Sequence, residues 1–194
     1  MPDELLMIMT SNGTFGDSGR LTGVWVEEVC MPLKAFRDAG FIVSAASPLG
    51  GRPPIDPRSA GFDTSTVPDL EAWLDGAEVL ADVDPGRYAA VFLAGGHGTM
   101  WDFPGNEALT RVVGTVASRG VVSAVCHGPA GLIGVAGPDG KPLVARRTDH
   151  GPEPHVVSGG RAGDDRRRAG PPAVNYANPG PPRPGRWPTT WTLR

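Results

Sequence analysis

Four short apolar runs, each followed by a loop and then by a helical stretch, constrain this chain more than any other feature. Residues 5–10 (LLMIMT), 41–46 (FIVSAA), 88–94 (YAAVFLA) and 121–125 (VVSAV) have the length and composition of strands. Residues 24–39, 70–80 and 107–118 read as helices. Apolar runs that do not alternate with polar residues suit strands buried on both faces. Strands that alternate with helices predict an α/β fold, with a parallel sheet covered on both sides. A length of 194 residues allows one sizeable core, and the pattern places it in residues 1–144.

The chain changes character after that. Residues 1–144 hold 9 Lys+Arg against 17 Asp+Glu, whereas residues 145–194 hold 9 Arg against 4 acids. That last segment also carries 9 of the 21 prolines, and Leu193 is its only Leu, Ile or Phe. So little apolar surface cannot offset the entropy of ordering a chain, so an irregular tail is expected. From about Arg147 an out-of-frame or degenerate end is expected. The net charge of −3 gives no reason to expect a nucleic-acid partner. Two cysteines do not make a disulfide framework, the N-terminus lacks a basic start, and no run is long enough to cross a bilayer. The expectation is a soluble cytoplasmic protein with no membrane partner.

The stretch 121-VVSAVCHGPAGLI-133 passes directly from a buried strand into residues with helical spacing, and Cys126 sits at the joint. Such a joint forces a tight backbone and holds its side chain out at the C-terminal edge of the sheet, where open α/β sheets bind ligands. A helix N-terminus there would favour thiolate. This is the geometry of a nucleophile elbow with cysteine in place of serine; the alternative is a buried structural cysteine.

On a helical wheel for residues 24–39, Val24, Trp25, Val29, Leu33, Ala35, Phe36 and Ala39 share one face, and Glu28 falls inside that arc while Glu27 lies opposite. A carboxylate turned toward the core should have a raised pKa, unless it snorkels out at the helix end. Pro32 removes the donor that the Glu28 carbonyl would otherwise receive. Cys30 reads as packing. In Gly95-Gly96-His97-Gly98 the glycines permit a tight turn, and their unshielded N–H groups could equally hold an oxyanion. His97, at a strand end as Cys126 is, faces either the same crevice or solvent.

Taken together, 22-TGVWVEEVCMP-32, 94-AGGHGTMWDFP-104 and 121-VVSAVCHGPA-130 resemble the PfpI-like superfamily of the class I glutamine amidotransferase-like fold, in its glyoxalase III and heat-shock chaperone branch. The resemblance implies a flavodoxin-like three-layer sandwich with a mostly parallel sheet. It also implies a catalytic Cys126, the following His127, the carboxylate of Glu28 against the sulfur, and His97 as the loop histidine. Two departures stand out. Met31 occupies a position where the family commonly has histidine. Beyond Val144 the family continues with a strand, an acid-rich turn and helices that supply a third polar residue to orient the histidine, so the C-terminal part here is atypical or missing.

The implied chemistry is conversion of methylglyoxal, a small aldehyde, to lactate without metal or organic cofactor. Cys126 would add to the aldehyde, Glu28 or His127 would move the proton, and Gly95, Gly96 and His97 would line the oxyanion site. The resemblance also leaves room for a homodimer. The competing readings are a stress-response holding chaperone, a peroxide sensor, a glutamine amidotransferase or peptidase, and an inactive truncated homologue. The amidotransferase reading is weakened because His150 and Glu153 are three apart and form no His-x-Glu pair.

Overall fold

The computed structural model describes residues 4–145 and 191–193. Its strands are β1 (Glu4–Ile8), β2 (Ile42–Ser47), β3 (Glu78–Val79), β4 (Ala90–Leu93), β5 (Val121–Ala124) and β6 (Trp191–Leu193). Its helices are α1 (Val26–Asp38), α2 (Leu70–Asp75), α3 (Thr99–Asp102) and α4 (Glu107–Ala117). The sheet order is β3-β2-β1-β4-β5-β6. All neighbours are parallel except β5 and β6, which run antiparallel. This is an α/β sandwich of the flavodoxin-like kind, with a mostly parallel sheet.

Pleating sorts the strand residues onto two faces. Leu6 and Ile8 of β1 join Val91 and Leu93 of β4 and pack against Leu109, Val112, Val113 and Val116 of α4. Leu5, Met7 and Met9 join Phe92 on the other face, against Val26, Val29, Cys30 and Leu33 of α1 and Leu70 and Leu74 of α2. The central strands therefore carry apolar side chains on both faces, with only small serines (Ser44, Ser47 and Ser123) interrupting them past Glu4. Asn106 starts α4 by accepting the Leu109 N–H at 3.0 Å, one of the donors a helix start leaves open.

The chain order reverses between β1 and β4, so their following loops diverge and leave a crevice at the C-terminal edge of the sheet. The loops after β1, β4 and β5 meet there.

Several sequence expectations need correction. The helix expected over 70–80 stops at Asp75, because Gly76 ends it and Glu78–Val79 pair with Ala46–Ser47. The helical spacing after Cys126 yields only a 3-10 turn over Gly128–Leu132, with Pro129 in its first turn. Ala35 and Ala39, placed on the apolar face of α1, are exposed. Residues 191–193 form β6 on the β5 edge, where an irregular tail is expected. The rest of that expectation falls on residues 146–190 and 194, outside the described residues, as does the third polar residue that the resemblance places beyond Val144. Among the described residues no helix is long and apolar enough to cross a membrane.

Candidate active site

Cys126 follows β5 with φ 54°, the one non-glycine residue at positive φ among those described. A left-handed residue with a Cβ costs about 1–2 kcal/mol, so the surroundings must impose it. They do so through Val125 N–H to Leu93 O at 3.1 Å and Gly128 N–H to Val125 O at 2.8 Å. Gly128 fits because a Cβ there would collide with the Leu93 carbonyl. The turn leaves Cys126 exposed on its outer side, in contrast to Cys30, which is fully buried; both are free thiols.

Glu28 reaches Cys126 from α1 through a notch that Gly95 provides. A Cβ on Gly95 would strike Glu28 Oε2 and come within 2.7 Å of Cys126 Cβ. Gly96, at φ 111°, lies so close to the Gly23 carbonyl and the Trp25 N–H that no side chain fits there either. Trp25 N–H donates to Gly95 O at 3.3 Å, which fixes the start of α1 against this loop. Cys126 Sγ lies 3.0 Å from His127 Nδ1, and the nearby backbone N–H groups of Gly96 and His127 favour its thiolate, partly offsetting burial. Thr99 Oγ1 lies 2.9 Å from Gly96 O and 3.1 Å from His127 O, tying the two loops together.

Electrostatics make Glu28 and Cys126 one unit. Burial pushes the Glu28 carboxyl up to about 7; its hydrogen bond with Cys126 opposes this and the like charge of Glu27 adds to it. Desolvation, followed by the negative charge of Glu28, pushes the Cys126 thiol up to about 12. Glu28 Oε2 is buried without a hydrogen-bond partner among the described residues, and the Cys126 thiol is the neighbouring side chain whose proton lowers the pKa of this carboxyl. Two acids in contact with one negative charge between them titrate as a pair. Between about pH 7 and about 12 the pair holds a single proton.

Glu27, on the outer side of α1, lines a cleft with Trp25, Arg58, Ser59 and Phe62. His97 sits over His127 with ring centroids 4.4 Å apart and a tilt of 37°. Burial lowers the pKa of both imidazoles; Arg58 and then Arg20 lower that of His97 further, against the opposing charge of Asp56, and His97 and Arg58 lower that of His127. Phe15, from the loop after β1, contacts His97 at 5.5 Å and Trp101 at 5.0 Å, forming an aromatic wall. Asp102 accepts Thr10 Oγ1 at 2.8 Å and Ser11 N–H at 2.6 Å, so it anchors that loop.

The structure thus gathers Cys126, His127, Glu28, Gly95, Gly96 and His97 at one crevice. Sequence reasoning missed Arg58, Asp56, Phe15 and Trp101, which border it. The Asp56-Pro57-Arg58 triplet carried a signal: opposite charges two apart across a proline can close a tight turn. Chemically, the crevice offers a sulfur nucleophile, an acceptor for its proton, imidazoles, and N–H donors around the sulfur.

The model of the DJ-1/PfpI family matches residues 22–143. Glyoxalase 3 of Candida albicans is 34% identical over 163 residues, covering 74% of this chain and 66% of that protein. The glutathione-independent glyoxalase hsp3102 of Schizosaccharomyces pombe is 32% identical over 180 residues, covering 84% of this chain and 71% of that one. The crystal structure of glyoxalase III from Candida albicans superposes with a TM-score of 0.66 at 34% identity, over 73% of this chain and 64% of that one. The chain therefore spans about two thirds of the length of the relatives it matches.

Proposed function

The chain belongs to the DJ-1/PfpI family, and from that premise we propose that it is a cysteine-dependent, glutathione-independent glyoxalase that converts methylglyoxal to lactate. On this reading residues 1–144 form the working domain. The observation that carries it is the elbow: Cys126 at φ 54°, its sulfur held between His127 Nδ1 at 3.0 Å and the Glu28 carboxyl.

The singly protonated pair suits the first step. As Sγ bonds to the aldehyde carbon, the thiol proton passes to Glu28, which hands it on to the alkoxide formed from the carbonyl oxygen, giving the hemithioacetal and leaving Glu28 ionised again. The N–H groups of Gly96 and His127, which favour negative charge on the sulfur, are the donors that would serve that oxygen. Removal of the former aldehyde proton by Glu28 or His127 gives an enediol, and return of a proton to the neighbouring carbon gives a lactoyl thioester on Cys126. Water then cleaves the thioester, releasing lactate and restoring the thiol. No net oxidation or reduction occurs, because one carbon is oxidised as its neighbour is reduced.

Peroxide sensing is the less favoured alternative, since it needs a thiolate of low pKa whereas Cys126 is pushed up to about 12. The deciding experiment incubates the purified chain with methylglyoxal and measures lactate, with Cys126→Ser as control. Lactate that forms in wild type and is lost in Cys126→Ser supports the reading. Equal rates in both proteins, or none in wild type, would reject it.

A further inference from the structure

Asp56 and Arg58 take no part in the steps above, yet they reach the crevice through His97. Asp56 is fully buried. It accepts Thr22 Oγ1 at 3.0 Å and three donors of Arg58: the backbone N–H at 3.0 Å, Nε at 2.9 Å and Nη2 at 2.7 Å. The guanidinium also lies 5.6 Å from the Trp25 ring centroid, so it is held on a second side. One residue on, Ser59 Oγ donates to Asp56 O at 2.9 Å and accepts Val26 N–H at 3.1 Å, docking this turn onto the start of α1.

Arg58 Nη2 stands 3.0 Å from His97 Nδ1. Arginine carries donors only and stays protonated, so Nδ1 must be the acceptor. A neutral imidazole that accepts at Nδ1 carries its proton on Nε2, and the partner of one ring nitrogen dictates the state of the other.

We propose that Arg58, clamped by the buried Asp56, is a positioning residue that locks His97 as the neutral Nε2–H tautomer, so that His97 donates a hydrogen bond to a substrate oxygen and does not act as a base. The identity of that oxygen rests on the glyoxalase reading; the tautomer does not. The groups facing His97 are Arg58, Asp56 and Arg20, the His127 ring above it and the Phe15 ring beside it. Burial and the two cations keep His97 neutral against the opposing charge of Asp56. A neutral imidazole offers a donor without placing a second cation beside Arg58.

The test is long-range proton–nitrogen NMR of the full chain labelled with 15N-histidine, with His97 assigned by its loss in His97→Gln. His97 should show an unprotonated Nδ1 and a protonated Nε2 from pH 7.5 to pH 9. In Arg58→Ala its tautomers should mix and its titration should move to higher pH, because a repelling cation is gone and Asp56 remains. Arg58→Lys, which keeps one donor, should recover part of the fixed tautomer. In methylglyoxal turnover, Arg58→Ala should lower kcat by about 10–100-fold with little change in KM, on the scale of losing a partner that orients a functional group. The wild-type tautomer is read without Arg58→Ala, so misfolding of that variant cannot shelter the proposal. Nδ1–H in wild type, or an unaltered tautomer and titration in Arg58→Ala, would overturn it even if lactate forms. The stated tautomer in a protein that forms no lactate would overturn the proposed function, and the donor role with it.

Discussion

Replacing Glu28 with glutamine separates thiol reactivity from turnover. The substitution keeps the shape of the side chain and removes the charge that helps hold Cys126 up at about 12. A like charge in contact is worth roughly 1–3 pKa units, which brings the thiol to about 10 if the middle of that range applies. At pH 8 the thiolate fraction then rises about 100-fold. The less basic sulfur is also a weaker nucleophile, by roughly 10-fold for a Brønsted slope of about 0.4–0.5. The net expectation is alkylation by iodoacetamide about 10-fold faster in Glu28→Gln at pH 8, while lactate formation falls sharply because the proton acceptor is gone. Glu27→Gln, on the outer side of α1, should leave the alkylation profile nearly unchanged. The same substitution has a stability consequence of fixed sign. The folded-state pKa of Glu28 is raised, from 4.5 to about 7, so the native protein binds more protons than the unfolded chain in that window. Stability therefore falls as pH rises from 4.5 through 7, by about 2–3 kcal/mol, and Glu28→Gln removes the loss. Its melting temperature relative to wild type should climb between pH 5 and pH 8. Slower or unchanged alkylation in Glu28→Gln, or equal effects from Glu27→Gln, would refute the shared-proton reasoning.

Further outcomes follow from the same geometry. Cys126→Gly should abolish lactate formation yet stabilise the fold by about 1 kcal/mol in chemical denaturation, since only glycine is unstrained at φ 54°. Gly95→Ala should destabilise by about 1–3 kcal/mol and disturb thiol alkylation, because the added methyl meets the Glu28 carboxylate and Cys126. Brief, limiting peroxide followed by mass spectrometry should find oxidation at the exposed Cys126 before the fully buried Cys30; the reverse order would contradict the elbow geometry.

How much was legible in the sequence depends on whether a feature is periodic. The strands β1, β2, β4 and β5 appear as continuous apolar runs because helices cover both of their faces, and that requirement writes itself into composition. Helices α1 and α4 were found within two residues at each end, but β3 and α3, of two and four residues, are too short to carry a period. Position 28 stood out because it interrupts an otherwise apolar arc, and Cys126 because a strand ends on it. Arg58 and Asp56 announced nothing comparable. Their partners, Thr22 and His97, lie 34 and 39 residues away, and only the folded turn brings them together.

The crevice concentrates features that a chain selected only for stability would shed: a left-handed cysteine, a carboxyl without a buried cation, and glycines where any side chain would collide. Each is held by backbone that belongs to the sheet or to its first turns. Cys126 hangs from Leu93 through Val125, Glu28 from a helix pinned at Trp25 and Val26, and the His97 loop from Thr99 and Arg58. The strained groups are thus carried by the ends of β4, β5 and α1, whose middles form the two apolar clusters. Burial in those clusters is worth roughly 1.5–3 kcal/mol for each large side chain, so a few such residues outweigh the strain of the elbow and the raised carboxyl. This explains why the site lies at the sheet edge and not in a long loop: only an edge joins geometry fixed to a fraction of an ångström with access for a substrate. It also explains why Glu28→Gln and Cys126→Gly should both gain stability as they lose activity, for the same groups cause both effects.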